Sequence, residues 1–171
     1  GHLLDDETLK LIGEKGIWLS MQPLDSAVRT GSSAEQKQKK YDLALADFNY
    51  AIRYRRDFDK AYNNRGTLYK ETNRLDEAIV DYDRAISLNP DYHMAYNNRG
   101  TVHILQKQYQ RAIEDLDKAI ALKPDFAEAF GNRGIAKIKM GNTDGCVDLK
   151  SSADLGFLPA GEFYRQYCKL Q

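Results

Sequence analysis

Three histidines, two cysteines and a repeated Asn-Arg pair are the residues of this 171-residue chain whose types could do chemistry. His2 stands alone. His93 and His103 lie ten apart, whereas two zinc ligands on one helical face lie four apart. Cys146 and Cys168 are too few for a disulfide scaffold, and Cys168 has no partner at metal-site spacing. Asp115 and Asp117 point to different sides of a helix and do not make an acid–base pair. Neither a glycine-rich phosphate loop nor a nucleophile elbow occurs. The expectation is therefore of no catalytic residue, no metal and no cofactor. A chemistry of recognition remains. Asn64, Asn98 and Asn132 recur at intervals of 34 residues, each followed by an arginine: Arg65, Arg99 and Arg133. An amide carries both donor and acceptor, so a row of three can grip the backbone of an extended peptide; alternatively, these amides bond to neighbouring helices. The arginines either reach acidic residues such as Asp81 and Asp115 on the adjacent helix or bind an anion.

The elements that carry these residues follow from the repeat. AYNNRGT stands at 61–67 and again at 95–101, and the same offset carries Asn63-Asn64-Arg65-Gly66 onto Gly131-Asn132-Arg133-Gly134 in two steps. Such a period predicts stacked amphipathic helix pairs. Gly66, Gly100 and Gly134 fall mid-helix, where glycine costs about 1 kcal/mol relative to alanine, so they mark close helix contacts. Ala78 and Ala112 are the matching small residues on the second helices, and Cys146 takes that place in the third unit. Ala85, Ala119 and Ala153 recur near the second-helix ends. Tyr62, Tyr96, Phe130, Tyr82 and Leu116 fill the spaces between. Pro90 and Pro124 stop one unit and start the next, with Asp91 and Asp125 placed to serve the next helix N-terminus. Helices are expected near 58–71, 74–88, 92–105, 108–121, 126–139 and 143–155.

Three units follow, at 57–90, 91–124 and 125–158. The third is degenerate, with Thr143 and Lys150 where the others carry large apolar groups. Residues 39–56 read as the second helix of a further unit, because Ala44, Phe48, Ala51 and Ile52 map onto Ala78, Tyr82, Ala85 and Ile86. Its first helix should occupy 25–37, a stretch lacking the matching glycine and aromatic. Residues 159–171, with Phe163, Tyr164 and Tyr167, form a helix capping the open end of the stack or present an aromatic docking patch. The segment 1–38 stands outside the repeat. Asp5–Lys15 reads as a helix and Ile17–Met21 as a short strand. The segment packs on the repeats, pairs with a second copy in a homodimer, or stays disordered.

The repeat resembles the tetratricopeptide family, which implies an all-α, right-handed superhelix of antiparallel helix pairs. The family's groove positions lie at fixed offsets from the mid-helix glycine. Carried over, they give Asn64, Asn98 and Asn132, with Lys60, Asn63 and Lys70 on the first unit. Met94, Asn97, Thr101, Ile104 and Leu105 follow on the second, and Ile135 and Ile138 on the third. The apolar members imply a partner with a buried aliphatic or aromatic anchor, unless the tail helix folds over them. The family's clamp for chaperone C-terminal carboxylates is not matched, since Asn63, Thr67, Glu128 and Asn132 stand where Lys, Asn, Lys and Arg are wanted, and only Asn98 fits. The phrase GHLLDDETLKLIGEKGIWLSMQP resembles part of a metal-dependent amidohydrolase of the imidazolonepropionase-like branch, without that family's metal ligands.

Composition limits the partners. Lys+Arg and Asp+Glu number 25 each, so no net charge draws nucleic acid or an anionic membrane. No apolar run nears the roughly 18 residues of a membrane span. The chain starts at Gly1 without a signal-peptide pattern, which fits a trimmed N-terminus and makes a cytoplasmic location the default. The leading expectation is a non-catalytic scaffold that holds a peptide or protein segment in the concave groove. The alternatives are an accessory fragment of a larger amidohydrolase-type enzyme and a self-assembling repeat module.

Overall fold

Apolar and small side chains spaced three and four apart give each helix one buried stripe, and that stripe decides how the helices pair. A computed structural model describes residues 33–168. Among them are eight helices: α1 (Ser33–Tyr54), α2 (Asp59–Glu71), α3 (Leu75–Leu88), α4 (His93–Leu105), α5 (Tyr109–Leu122), α6 (Ala127–Lys139), α7 (Gly145–Asp154) and α8 (Leu158–Tyr167). No strand occurs among the described residues. The N-terminal helix and strand expected at 5–21 lie outside them. The chain divides into two compact units, one ending at Leu88 and the other beginning at Asn89.

In the first unit α1 packs on α2, and α2 on α3. Ala44, Phe48 and Ala51 of α1 are buried, as are Ala78, Tyr82 and Ala85 of α3. The fully buried Tyr82 ring contributes on the order of 2 kcal/mol, and its hydroxyl donates to Thr67 Oγ1 at 3.2 Å. The repeat predicts a first helix at 25–37, in a unit either heavily degenerate or cut off, with a second from 39. Residues 25–32 lie outside the described ones, and from Ser33 a single 22-residue helix runs through to Tyr54 without a turn. The stretch AEQKQKKYDLALA contains no glycine or proline and consists largely of strong helix formers, so nothing interrupts it.

In the second unit α4 pairs with α5, α5 packs on α6, α6 pairs with α7, and α8 lies against α7 and α6. Ala112, Leu116, Ala119, Ala129 and Ala136 form its fully buried core. The mid-helix glycines sit where helices nearly touch. A Cβ on Gly66 would lie 2.8 Å from the Tyr82 ring and 3.2 Å from the Ala78 carbonyl, and one on Gly100 would lie 3.0 Å from Leu116.

The third pair corrects the register read from the sequence. A Cβ on Gly134 would meet the Gly145 carbonyl and Leu149, each at 2.8 Å. Gly145, not Cys146, therefore occupies the place of Ala78 and Ala112. Leu149, not Lys150, takes the place of Tyr82 and Leu116, and Ser152, not Ala153, that of Ala85 and Ala119. One residue is missing between α6 and α7, and once it is allowed for, the third pair is as well packed as the others. Leu149 and Ser152 are both fully buried.

Two further details depart from expectation. Tyr92 and Phe126 occupy the N-caps of α4 and α6, with no side-chain cap bond, so Asp91 and Asp125 are not the capping residues. Phe126 packs against the second unit's core and Phe58, at the same place before α2, against Ala51 and Ala61; ring burial there replaces the capping hydrogen bond. The turns between paired helices use a left-handed residue at one repeated position: Asn73 (φ 60°), Lys107 (φ 61°) and Gly141 (φ 80°). Glycine and asparagine tolerate that region, whereas lysine is strained there.

Candidate functional site

On α4, residues 94, 98, 101 and 105 are spaced by four, three and four, so they share one helix face. Met94 is 44% exposed and Leu105 55%, while Asn98 and Thr101 between them are half-buried. The matching stripe on α2 is Lys60, Asn64, Thr67 and Glu71, and on α6 it is Glu128, Asn132, Ile135 and Lys139. Lys60, Glu71, Glu128 and Lys139 are exposed, and Asn64, Thr67, Asn132 and Ile135 are half-buried.

The residues singled out from the sequence fall on more than this stripe. Asn63 and Asn97 are only 2% and 5% exposed, so they lie inside the molecule and not on a contact face. Each sits one position from the outer stripe, on the side that carries the mid-helix glycine three residues on. Ile104 packs against the core of the second unit. Lys70 is half-buried. Ile135 and Ile138 line a small gap together with Phe163 and Tyr167 of α8, so the tail helix covers them.

The asparagines are engaged. Asn132 Nδ2 donates to Asn97 Oδ1 at 3.0 Å and to Thr101 Oγ1 at 3.2 Å, while Thr101 Oγ1 donates to the Asn97 carbonyl at 2.9 Å. These bonds tie α6 to α4. Asn132 uses only its amide nitrogen in them, which leaves Oδ1 as an acceptor. On α2, Asn63 Nδ2 donates to Asn64 Oδ1 at 3.3 Å.

The arginines beside them serve structure. Arg65 makes a two-pronged contact with Asp81 at 2.7 Å on each oxygen, Arg99 with Asp115 at 2.6 and 2.9 Å, and Arg133 with Asp148 at 2.6 and 2.8 Å. Arg65 also donates to Asn49 of α1, and Arg133 to Asp117 of α5, each at 2.6 Å. These two guanidiniums therefore join their own pair to the helix before it. Each arginine also lies over the aromatic ring three residues earlier: Tyr62, Tyr96 and Phe130.

One repeated position is occupied by Tyr69, His103 and Lys137, and in the second and third pairs it approaches the buried carboxylate. Lys137 Nζ lies 2.7 Å from Asp148, and His103 Nε2 3.8 Å from Asp115. Burial pushes the Asp81 carboxyl up, against the pull of Arg65. At Asp148 burial works in the same direction, but Arg133 and Lys137 together hold the carboxyl below its usual range. Burial also pushes the His103 imidazole down, with Asp115 opposing it and Arg99 and Arg111 assisting. Its Nδ1 is buried without a hydrogen-bond partner.

Cys146 and Cys168 are joined in a disulfide, with Cα atoms 5.8 Å apart. Sequence reasoning missed it. The signal was present in the spacing: two short antiparallel helices place a residue of the first turn of α7 beside the residue that ends α8. Among the described residues no group of three or more His, Cys, Asp or Glu side chains is gathered as a metal site requires. No described helix is long and apolar enough to cross a membrane.

Paired helices with a glycine-mediated contact, repeating every 34 residues, define a helical repeat protein. The family model for the tetratricopeptide repeat matches residues 59–92 and 93–126, which are α2–α3 and α4–α5 with their connections. Solved structures of the same fold include MamA, at TM-score 0.66 and 19% identity over 82% of this chain and 90% of that one. The first tetratricopeptide domain of Spaghetti (RPAP3), bound to the HSP90 peptide SRMEEVD, matches at TM-score 0.62 and 21% identity, over 64% of this chain and 91% of that one. The second such domain of human RPAP3, in complex with an HSP70 peptide, matches at 0.59 and 23%, over 63% and 92%. At these identities the likeness is one of fold. Curated protein sequences give no match.

Proposed function

We propose that this chain is a non-catalytic interaction scaffold that holds an extended peptide or protein segment against the outer stripe of α4, with Asn132 of α6 beside it. The observation that carries the reading is the α4 stripe, where exposed Met94 and Leu105 flank Asn98 and Thr101 at helical spacing. A solvated face has no need of two large apolar side chains there, whereas a peptide with one aliphatic or aromatic anchor does. Asn98 provides an amide for the peptide backbone, and Asn132 provides an acceptor through Oδ1.

The peptide-bound relatives lend the fold precedent. Their chaperone peptides are not the expected ligand here, because the clamp positions hold Asn63, Thr67, Glu128 and Asn132 and do not offer the cations an acidic tail requires. The reading needs no particular compartment. The Cys146–Cys168 bond would be closed in an oxidising compartment and open to exchange in a thiol-buffered one.

The test is selection of binding peptides from a displayed random library on the whole chain, followed by affinity measurement on a Met94→Asp/Leu105→Asp variant. Both side chains are exposed, so the fold should persist, and circular dichroism checks it. We expect at least tenfold weaker binding. Equal affinity in the folded variant would remove the α4 stripe from the site.

A further inference from the structure

The C-terminal helix α8 is only ten residues long, and Ala160 is its one fully buried residue. An isolated helix of that length is marginal in water, so its place depends on what fastens it. Two attachments are visible. Along its length, Phe163 and Tyr167 stack with ring centroids 5.9 Å apart and, with Ile135, Ile138 and Leu149 of α6 and α7, enclose a small apolar gap. Lys139 Nζ lies 5.8 Å from the centre of the Tyr167 ring at its edge. At its far end, the Cys146–Cys168 bond closes a covalent loop around the α7–α8 hairpin, with the two cysteines 22 residues apart in sequence. At its start, Gly156 (φ 93°) makes the turn out of α7 and forms a ready hinge. A Cβ at Gly156 would meet nothing within 4 Å, so that turn is not locked by packing.

We propose that α8 is a redox-controlled latch. With the disulfide closed, α8 is held over Ile135, Ile138 and Leu149. With the disulfide reduced, α8 swings out about the Gly156 turn and uncovers that apolar face. The reaction is thiol–disulfide exchange with a dithiol. One thiolate of the dithiol attacks a sulfur of the Cys146–Cys168 bond and forms a mixed disulfide. Its second thiol then displaces the remaining cysteine. The dithiol ends as a disulfide, carrying the loss of two electrons and two protons, and Cys146 and Cys168 end as thiols. Both cysteines are half-buried, so neither is sealed in the core as an inert structural pair would be. A cross-link closing a loop of this length favours the closed arrangement on the order of a hundredfold in chain-entropy terms, which is the range over which a marginal helix passes from mostly docked to mostly free.

The inference goes beyond the peptide-binding reading and does not depend on it. It is tested on the full chain by hydrogen exchange, comparing the oxidised protein with the same protein in dithiothreitol and with a Cys168→Ser variant. Thiol titration first establishes whether the oxidised protein contains the bond. The expected result is no free thiol in the oxidised chain, and amide exchange in 158–168 faster by on the order of a hundredfold after reduction. Protection of α4, α5 and the body of α6 should be unchanged, and Cys168→Ser should match the reduced protein while ignoring the reductant. Two free thiols in the oxidised protein would overturn the proposal. So would unchanged protection of α8 on reduction, which would mean that packing alone holds it. Loss of protection throughout α4–α7 would also overturn it, because the bond would then be a staple for the whole unit. None of these outcomes bears on peptide affinity, so the two readings stand or fall separately.

Discussion

The buried carboxylates Asp81, Asp115 and Asp148 each face an arginine from the partner helix, and the energetics of these pairs dominate at the scale of single residues. Breaking such a pair leaves one charge buried without compensation. Arg99→Ala should therefore destabilise the second unit by roughly 3 kcal/mol in a urea titration, far more than removal of an exposed arginine. The double variant Arg99→Ala/Asp115→Ala should recover part of that loss. His103 adds a pH dependence whose sign is fixed by burial. Its folded value lies below the ordinary 6.5, so the unfolded chain binds the proton more readily. The stability it confers is complete above about pH 6.5 and is lost as pH falls below that toward the folded value. Denaturation at pH 7.5 and pH 5.5 should show this loss, and a His103→Gln variant should show less of it. The Arg65–Asp81 and Arg99–Asp115 pairs were legible in the sequence because both partners repeat at the same offset. Arg133–Asp148 was not, because the shortened turn before α7 shifts its aspartate by one place.

Elements are fixed by how closely their backbones approach and by how they turn. At Gly134 a Cβ would stand 2.8 Å from the Gly145 carbonyl and 3.0 Å from the Leu149 amide nitrogen, neither of which can rotate away. Gly134→Ala should cost about 2 kcal/mol, since the clash outweighs a propensity gain of about 1 kcal/mol; thermal unfolding checks it. The turn residue Lys107 holds φ at 61°, so Lys107→Gly should stabilise by about 0.5–1 kcal/mol. The glycines, the alanines and the helix order were readable because close packing leaves small residues at fixed intervals. The true register of α7 was not readable from the 34-residue offset, since one missing residue slides Cys146, Lys150 and Ala153 off positions that Gly145, Leu149 and Ser152 fill. The candidate site was readable only as a broad face. Periodicity brought Asn97 and Ile104 into the same list as Asn98 and Leu105, although one step of about 100° around the helix separates a buried amide from a half-exposed one. Coverage of Ile135 and Ile138 by α8 depends on a chain reversal at Gly156 that local pattern does not specify.

At the scale of the whole molecule the described residues form a series of helix pairs, and the proposed function places an extended segment along the outer stripe of α4, beside Asn132 of α6. Repeat proteins of this kind put their variable residues on such faces while the small residues between helices keep the scaffold in place. The most direct measurement is chemical-shift mapping by NMR of a library-selected peptide titrated into the isotope-labelled chain. The largest shifts should fall on Met94, Asn98, Thr101 and Leu105, with little change at exposed Val80 of α3. Shifts concentrated on α3 and α5, or on the faces of α7 and α8 away from α6, with the α4 stripe silent, would contradict it.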